Sequence, residues 1–487
     1  MNKPIRVIAL VTGAIVLIGA VTCWRGCGRN RDALANYKAE LRAKGEKLSA
    51  EELGYPRPPE KSEGLDRLLA AANKISGVRF PPASMDFGSH SGPGRVKLIW
   101  PSPQPVTQGA GVAYDWEAIT AQFTNRYGIT LEFREAVRIP PRYFFNDPTN
   151  FFNTPKTPFV GMRTAAQWLG GDAIVALHGG QIDQAALDIQ ALTRLAQFHQ
   201  EDHTLVSQMI RVAIAGLGLS VTWQALQADG WDEEMLTTLQ KDWESVNLAD
   251  TFEMGMVGER AFGEAAFAAM RIASPSERMK FTRFSNVTGP VQLKSLKDYF
   301  EAYVLMPYWA ANADADEMFF LRHHQRNLES IRKLRLGVSW SEVNSEITTN
   351  HALLDGAFSS PISRYRYLLS AIAIPNFLKA AGTSVRNETH RRLTVTAIAL
   401  ARYRLRTGEY PANLEALVPR FLSAVPLDLM SAKPLCYSLN SDGTFMLYSV
   451  GEDGRYDGGD PNSGTITNRF DLWTGRDAVW PVAARQN

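Results

Sequence analysis

The sequence predicts a mainly α-helical protein with a transmembrane helix at its amino terminus, an α-helical body and a small α+β module at its carboxyl terminus. Three observations support this fold class: an uncharged apolar run before residue 25, apolar residues at helical spacing from about 160, and strand and turn chemistry after residue 430. The corresponding regions are a cytoplasmic tail and anchor (1–27), a charged stalk with a Pro/Gly-rich irregular region (28–158), the helical body (159–365) and the carboxyl-terminal module (366–487).

The composition is that of a globular protein. The chain has 487 residues, of which 45% are hydrophobic and 21% are charged, and this balance argues against a disordered or collagen-like chain. The formal net charge is only +2, so the charge gives no reason to expect nucleic acid as a partner. The 3 cysteines exclude a scaffold built on disulfides.

The predicted membrane anchor is the uncharged run from Val7 to Trp24, which follows Lys3 and Arg6. As a helix it would be about 27 Å long, close to the ~30 Å hydrocarbon core of a bilayer. A cleaved signal peptide is the alternative, but the length and the interfacial Trp24 favour a retained anchor. We therefore expect a single-pass protein of the bacterial inner membrane, held in the bilayer by residues 7–24. Its bulk would be periplasmic, with an envelope protein as its partner.

The segment after the anchor is charged and then rich in proline. The charged part, Arg29 to Lys61, predicts a helix that stands off the membrane. Of 26 prolines, 14 lie between Pro56 and Pro158, and this density predicts an irregular connection. The aromatic run at 143–152 would attach this connection to the core.

The helical body begins near residue 160. Apolar spacing predicts a helical hairpin that turns at Gly179-Gly180, followed by a third helix from Leu205 to Leu226. That third helix is apolar enough to be considered as a second membrane span, but its short uncharged stretch favours a buried helix. Asp232 predicts a further helix start, and more helices are expected at 258–272, 292–303 and 311–335. The hairpin has a spacing similar to tetratricopeptide-type repeats, but no second copy recurs at a fixed period.

The common catalytic motifs are absent from the sequence: it contains no phosphate-binding loop, no dinucleotide-binding loop, no nucleophile elbow and no HExxH zinc motif. His199 and His203 would share one helical face, and a solvated helix end is preferred there over a metal site. His323 and His324 are adjacent, so they should point about 100° apart. A small acidic cluster, Asp314 with 316 and 317, is explained by the dipole at a helix start.

The carboxyl-terminal region has a distinct order of elements. A helix over Leu393–Leu405 precedes a short helix that Asn413 can cap. An extended stretch from Pro434, a turn at 441–443 and a second extended stretch to Val450 predict a β-hairpin. A loop rich in glycine and aspartate, 449–460, follows.

This order resembles the globular domain of the major pseudopilins of type II secretion systems over about 366–480. The best matches are YRLRTGEYPANLEALVPRFL at 403–422 and LYSVGEDGRYDGG at 447–459, and SAIAIPNFLKA at 370–380 is similar to the end of a pilin's amino-terminal helix. The chain departs from the family at Asp428-Leu429, where Asp-Pro is usual. It also lacks the family's processing site before residue 370.

The resemblance implies a calcium site in the terminal loop. The family's ligands carry over to Asp453, Asp457 and Asp460, with backbone carbonyls around Val450 as further ligands. Calcium takes six to eight oxygen ligands, and closely spaced carboxylates freed by glycines can supply several of them. A solvated acidic turn is the alternative.

Two classes of function remain open from the sequence. The first is a membrane-anchored envelope protein with a binding or scaffolding role, with a link to secretion implied by the resemblance. The alternative is an envelope hydrolase whose site is assembled from scattered residues of the helical body. A pocket in the helical body that combines buried titratable groups would favour the enzyme.

Overall fold

The computed structural model describes residues 29–54, 63–75, 85–103, 106–107, 113–141, 159–282, 295–374, 377–463 and 470–484. The predicted anchor at 7–24 and the aromatic run at 143–152 lie outside these residues. The structure is 66% helix and 6% strand, with small sheets near the carboxyl terminus. The prediction of a mainly helical protein is thus confirmed.

Seventeen helical segments are labelled here in chain order within the described residues. They are α1 (29–43), α2 (Ala50–Leu53), α3 (Glu63–Lys74), α4 (Trp116–Thr124), α5 (Tyr127–Ala136), α6 (Phe159–His178), α7 (Ile182–Ala196), α8 (Leu205–Ala225), α9 (Glu233–Ser245), α10 (Ala249–Ile272), α11 (Pro275–Thr282), α12 (Leu296–Phe300), α13 (Met306–Arg332), α14 (Trp340–Ala357), α15 (Pro361–Arg366), α16 (Leu368–Ala373) and α17 (Phe377–Thr407). Short 3₁₀ turns cover Lys333–Leu336 and Leu414–Leu417.

Ten short strands form four small sheets in the part of the chain that the structure describes. The strands are β1 (His90–Gly92), β2 (Arg95–Val96), β3 (Val106–Thr107), β4 (Ala113–Tyr114), β5 (Leu427–Asp428), β6 (Lys433–Pro434), β7 (Cys436–Leu439), β8 (Phe445–Ser449), β9 (Ala478–Val479) and β10 (Val482–Ala483). The sheet orders are β1-β2-β10, β3-β4, β5-β6 and β7-β8-β9. The parallel pairing of β10 with β2 joins the end of the chain to the region before the helical body.

Helix α1 packs on the body instead of standing off it. Leu34 and Leu41 are buried, and Lys38 forms ion pairs with Glu264 of α10 and Glu317 of α13. The two leucines are seven residues apart, so they lie on one face after two helical turns. That apolar face explains why a helix with so many charges lies against the core.

The region expected to be irregular contains three helices, α3, α4 and α5. Their stretches, 63–75 and 113–139, are free of proline, so helical hydrogen bonding is uninterrupted there. Asp115 caps α4 by accepting a hydrogen bond from the Ala118 N–H at 2.6 Å. The proline clusters lie between these helices, and the prediction of irregular structure was wrong for the stretches that proline leaves free.

The hairpin of α6 and α7 is present as predicted, with Gly180 at φ +68° in its turn.

Helix α8 packs inside the protein, also as predicted: Gly218 lies so close to Trp243 that an added Cβ would meet the ring at 3.0 Å. Within the described residues, α8 and the segment Leu368–Thr407 are long and apolar enough to cross a bilayer, and 61% of the α8 window is buried in the fold. Burial of this kind is typical of core helices.

Helices α12 and α13 form one continuous helical run, whereas the sequence predicted a break between 303 and 311. The run contains a wide π-helical turn at Glu301–Leu305, and Pro307 follows directly in the first turn of α13. Proline has no N–H to donate into the preceding turn. The wider turn and the position of Pro307 at a helix start allow the helix to continue.

The carboxyl-terminal hairpin is confirmed, with β7 and β8 antiparallel and Cys436 opposite Tyr448. Helix α17 is longer than the predicted Leu393–Leu405 helix and packs against α8 and α9. The Trp223 indole N–H of α8 donates to the Pro481 carbonyl at 3.0 Å. One hydrophobic core therefore contains side chains from both α8 and the carboxyl-terminal strands.

Candidate functional site

A cavity of about 390 Å³ lies along one face of α13. We call it the arginine cavity. Its lining residues come from α1, α13 and α14 and from the α15–α16 junction: Asn30, Ala33, Asp314, Ala315, Met318, Phe319, Arg322, His323, Arg326, Leu353, Arg366 and Tyr367. Four separate segments of the chain thus share one site.

Helical spacing explains how α13 contributes most of the lining. Asp314, Met318, Arg322 and Arg326 follow one another at intervals of four residues. Side chains with this spacing lie on one face of a helix, one above the other. Helix α1 runs beside this face, and Arg366 comes from the end of α15.

The wall of the cavity is aromatic. The Phe319 ring lies 4.8 Å from the Tyr367 ring and stacks against the His323 ring at 6.4 Å. Met318 and Leu353 add apolar surface. A ligand with an apolar part would therefore find a hydrophobic contact surface here.

The rim of the cavity is positively charged. Arg322, Arg326 and Arg366 are exposed, and within the described residues none of the three forms an ion pair. The Arg322 guanidinium lies 5.5 Å from the Tyr37 ring centre, and that of Arg366 lies 5.4 Å from Tyr367. The acidic member of the lining, Asp314, is already engaged by Arg271 at 2.7 Å. The guanidinium groups therefore keep their hydrogen-bonding capacity for an anion.

His323 lies at the base of the cavity. Its side chain is buried, with 3% of its surface exposed, and its Nε2 atom has no hydrogen-bond partner. Burial lowers the pKa of His323 to about 4, with a smaller contribution from His351 and Arg326. The imidazole is therefore neutral at pH 7, and its Nε2 atom keeps an unused capacity for a hydrogen bond.

The adjacent His324 points elsewhere, as the sequence predicted. Its ring is fully enclosed and meets Phe320 and Phe377 at centroid distances of 5.5 and 5.0 Å. Both ring nitrogens lack hydrogen-bond partners, and burial holds its pKa well below the usual range. His324 is thus a neutral core residue, and only His323 lines the cavity.

A second, smaller cavity of about 250 Å³ lies between α4, α5, α6 and α7. Its polar lining includes Tyr127, Asp172, His178 and Gln184. Asp172 is almost fully buried, and burial raises its pKa. A buried carboxyl group beside a pocket is the combination that favours an enzyme.

A second buried acid lies behind this cavity. Asp188 is fully buried, and its Oδ1 accepts a hydrogen bond from the Arg134 Nε–H at 2.8 Å. Burial raises its pKa well above the usual range, and the nearby Asp172 raises it further. Arg134 also donates to the Gln184 side chain at 2.9 Å. These hydrogen bonds join α5 to the α6–α7 hairpin, so the network has a structural role.

The three acids predicted to bind calcium lie in the loop after β8, and the carboxylates of Asp453 and Asp460 make separate local hydrogen bonds there. Asp453 accepts from the Arg455 N–H at 3.0 Å, and Asp460 accepts from the Asn462 N–H at 3.0 Å. Asp457 is exposed. The described part of the chain contains no group of three or more histidine, cysteine, aspartate or glutamate side chains placed to share a metal ion. In this conformation the loop does not present the three acids as one ligand set, and calcium binding stays a prediction.

A fourth aspartate, which the sequence reasoning missed, organises this loop. Asp477 is buried, and it accepts hydrogen bonds from the backbone N–H groups of Gly459 at 2.7 Å and Asp460 at 3.1 Å. Gly458 and Gly459 have φ of +71° and +82°, a conformation that glycine adopts without strain. The backbone N–H groups of the loop thus bind the carboxylate of Asp477.

Two predictions made for isolated side chains were wrong. His199 is not at a solvated helix end: α7 stops at Ala196, and His199 is buried with φ +55° and donates its N–H to Pro141 at 2.7 Å. The acidic cluster is not at a helix start either, because the helix begins well before it. Asp316 instead accepts hydrogen bonds from the first turn of α16, and Glu317 pairs with Lys38.

No family model, curated protein or solved structure matches the chain. The arginine cavity has a partial sequence signal, namely arginines four residues apart on α13 beside an aromatic residue. Nothing local connects that helix to Asn30 or Arg366. The second cavity has a weaker signal still, because one aspartate in α6 and two in α7 form no motif in the sequence.

Proposed function

We propose that the protein is a membrane-anchored binding protein whose arginine cavity holds an organic anion with an apolar part. The observation that supports this most directly is the convergence of Arg322, Arg326 and Arg366, unpaired among the described residues, on a cavity with His323 at its base. Guanidinium groups bind anions through charge-assisted hydrogen bonds, which are stronger than those between neutral groups. The volume, about 390 Å³, is within the ~300–1,000 Å³ typical of small-molecule sites.

The ligand class follows from the two kinds of lining. Arginine binds carboxylates, phosphates and sulfonates through paired hydrogen bonds. The Phe319 and Tyr367 rings favour an apolar or aromatic group beside the charged head. A purely inorganic anion would leave this wall unused, and a purely apolar ligand would leave the arginines unsatisfied.

The location follows from the predicted anchor. Asn30 and Ala33 line the cavity and come only a few residues after Trp24, the predicted end of the membrane span. The cavity would therefore open close to the bilayer surface, on its periplasmic side. Its ligand could be a free solute or an anionic lipid, because both carry the same head chemistry. The resemblance of residues 366–480 to pseudopilins adds the proposal of a secretion-related partner for this module.

Binding of naphthalenesulfonate to the full chain in a neutral detergent tests the proposal by titration calorimetry. We expect naphthalenesulfonate to bind more tightly than methanesulfonate or naphthalenemethanol. Methanesulfonate has the anionic group without the aromatic rings, and naphthalenemethanol has the rings without the anionic group. Arg326→Gln and Arg366→Gln should each weaken binding by about tenfold, the value of one charge-assisted hydrogen bond. Arg163→Gln, an exposed arginine on α6, is the matched control. Equal binding by all four chains would refute the proposal.

The source of the ligand is tested in a separate arm. A short-chain phosphatidylglycerol below its micellar concentration competes with the probe if a lipid can supply the anion. Competition by soluble aromatic carboxylates alone would favour a free solute. Both outcomes are consistent with a binding site in the arginine cavity. The first indicates a lipid as its physiological ligand, and the second indicates a free solute.

The envelope hydrolase remains as a second candidate because Asp172 lines the smaller cavity with a raised pKa. A carboxyl group with a raised pKa keeps its proton to a higher pH than an ordinary aspartate, and the protonated form can donate to a leaving group. Chromogenic nitrophenyl esters, glycosides and phosphates test for hydrolysis. Asp172→Asn should abolish any activity found, whereas Asp183→Asn on the exposed face of α7 should not. Activity that survives Asp172→Asn would remove this candidate.

A further inference from the structure

The run from α12 into α13 carries an exposed apolar face. Its members are Leu296, Tyr299, Phe300, Tyr303, Val304 and Tyr308, and the exposed fractions of Leu296 and Tyr303 are 90% and 64%. We call this surface the aromatic face. Six large apolar side chains on one exposed stretch of helix are typical of a surface that contacts a membrane or another protein.

The other side of the same helix is fixed to the protein. Ala302 and Met306 are buried against Met279 of α11, and Ser295 and Asp298 form a capping box at the helix start. Packing and capping together hold this helix in place. The aromatic face is therefore a stable outer surface of the fold.

The orientation of α1 locates this face relative to the predicted anchor. Helices α1 and α13 run in the same direction: Arg31 lies 3.9 Å from Asp314, Tyr37 lies beside Arg322, and Glu46 pairs with Arg332. The amino-terminal end of α1, at Arg29, consequently lies toward the beginning of α13.

Distances along the chain put the face near the bilayer. Tyr308 is six residues before Asp314, about 9 Å along the helix axis. Arg29 is five residues after Trp24, so the end of the predicted span is within about 18 Å of Arg29. The aromatic face and the membrane end of α1 thus lie at the same end of the protein.

We propose that the aromatic face lies in the headgroup region of the same bilayer that holds residues 7–24. This inference rests on the membrane anchor of the proposed function. Tyrosine and phenylalanine have the amphipathic or apolar rings that are favoured at the membrane interface. Exposed Lys297 and Arg364 lie on α12 and on α15, which packs against α13, and they suit anionic headgroups. The contact would fix the orientation of the body and of the arginine cavity on the membrane.

The test places an environment-sensitive dye on the aromatic face of the full chain. A chain with its three cysteines replaced by serine receives Tyr303→Cys, or Leu405→Cys as a control, since Leu405 is 50% exposed at the far end of α17. Each is labelled with a nitrobenzoxadiazole dye and reconstituted into vesicles of phosphatidylcholine and phosphatidylglycerol. We expect a blue-shifted emission at 303, and nitroxide lipids should quench it several-fold more than at 405.

The outcomes separate this inference from the anchor itself. If the labelled chain floats with the vesicles but the dye at 303 stays accessible to aqueous iodide, the inference is wrong and the anchor stands. If the dye is shielded yet insensitive to nitroxide lipids, a protein or a second copy covers the face, and the inference is again wrong. A chain that does not float with the vesicles at all would refute the anchor, and the inference with it.

Discussion

The Ser370 hydroxyl donates a hydrogen bond to the Asp316 carboxylate at 2.5 Å, and this pair ties α13 to the first turn of α16. The same carboxylate accepts from the backbone N–H groups of Leu369 at 2.9 Å and Ser370 at 3.2 Å, and from the Trp309 indole N–H at 2.8 Å. Burial nevertheless raises the pKa of Asp316 to about 6, against the lowering effect of these donors.

The hydrogen bonds of Asp316 predict a large loss of stability on a conservative change. Asp316→Asn replaces one acceptor oxygen by a donor that faces two other donors, so we expect a loss of about 2–4 kcal/mol in the free energy of unfolding. Ser370→Ala removes one donor and should cost about 1–2 kcal/mol. Urea denaturation measures both, and Asp355→Asn on the exposed face of α14 is the control. A loss for Asp316→Asn no larger than that for the control would contradict the prediction.

The pair of acids beside Lys38 predicts a loss of stability as the pH rises from about 4.5 to about 8. Lys38 lies 2.5 Å from Glu264 and also contacts Glu317. Burial, and then the charge of Glu317, raise the pKa of Glu264 to about 8, so the folded protein binds a proton here that the unfolded chain releases above about pH 4.5. Stability contributed by this proton is present below the unfolded pKa and is lost as the pH rises toward 8.

The corresponding experiment compares Glu264→Gln with the unmodified chain in urea at pH 5.5 and 8.5. The amide imitates the protonated acid at both pH values, so the variant should lose less stability between them than the unmodified chain does. Lys38→Met should have the opposite effect, because it leaves two buried acids without their cation. A pH dependence identical in the unmodified chain and Glu264→Gln would show that Glu264 does not hold the proton.

His323 predicts how ligand affinity depends on acidity. Its pKa of about 4 keeps the ring neutral from pH 6 to 8, so the affinity for naphthalenesulfonate, whose charge is constant there, should be flat. Near pH 4 the ring gains a positive charge inside the cavity, and the affinity should rise. His323→Phe keeps the aromatic surface and should remove this rise. An affinity that already changes between pH 6 and 8 would mean that another group controls binding.

The calcium prediction for Asp453, Asp457 and Asp460 is tested by the melting temperature of the full chain. If the loop rearranges to bind the ion, millimolar calcium should raise the melting temperature above its value in chelator, because a ligand of the folded state stabilises it by mass action. Asp457→Ala should remove this difference, and Asp355→Ala should retain it. Equal melting temperatures in both buffers would contradict the calcium prediction and leave the hydrogen bonds to Asp477 as what holds the loop.

Local sequence patterns predicted much of the helical body. The α6–α7 hairpin, the buried α8 and the start of α9 at Asp232 follow from apolar spacing, turn glycines and a capping side chain. These signals act within a few residues of one another, and so does helical hydrogen bonding. The prediction of irregular structure for 28–158 used the average proline content of the whole region. It therefore missed the proline-free stretches that form α3 to α5.

The sequence by itself predicted the hairpin of α6 and α7, the buried α8 and the turn of the β-hairpin, and it gave the expectation of a membrane anchor at 7–24. Only the tertiary structure decided that Asn30, His323 and Arg366 share a cavity and that Asp477 holds the loop around Gly459. It also decided that α1 lies against α13 and not away from the body. The physical reason is range: backbone hydrogen bonds and capping are local, whereas burial and ion pairing join residues that the chain keeps far apart.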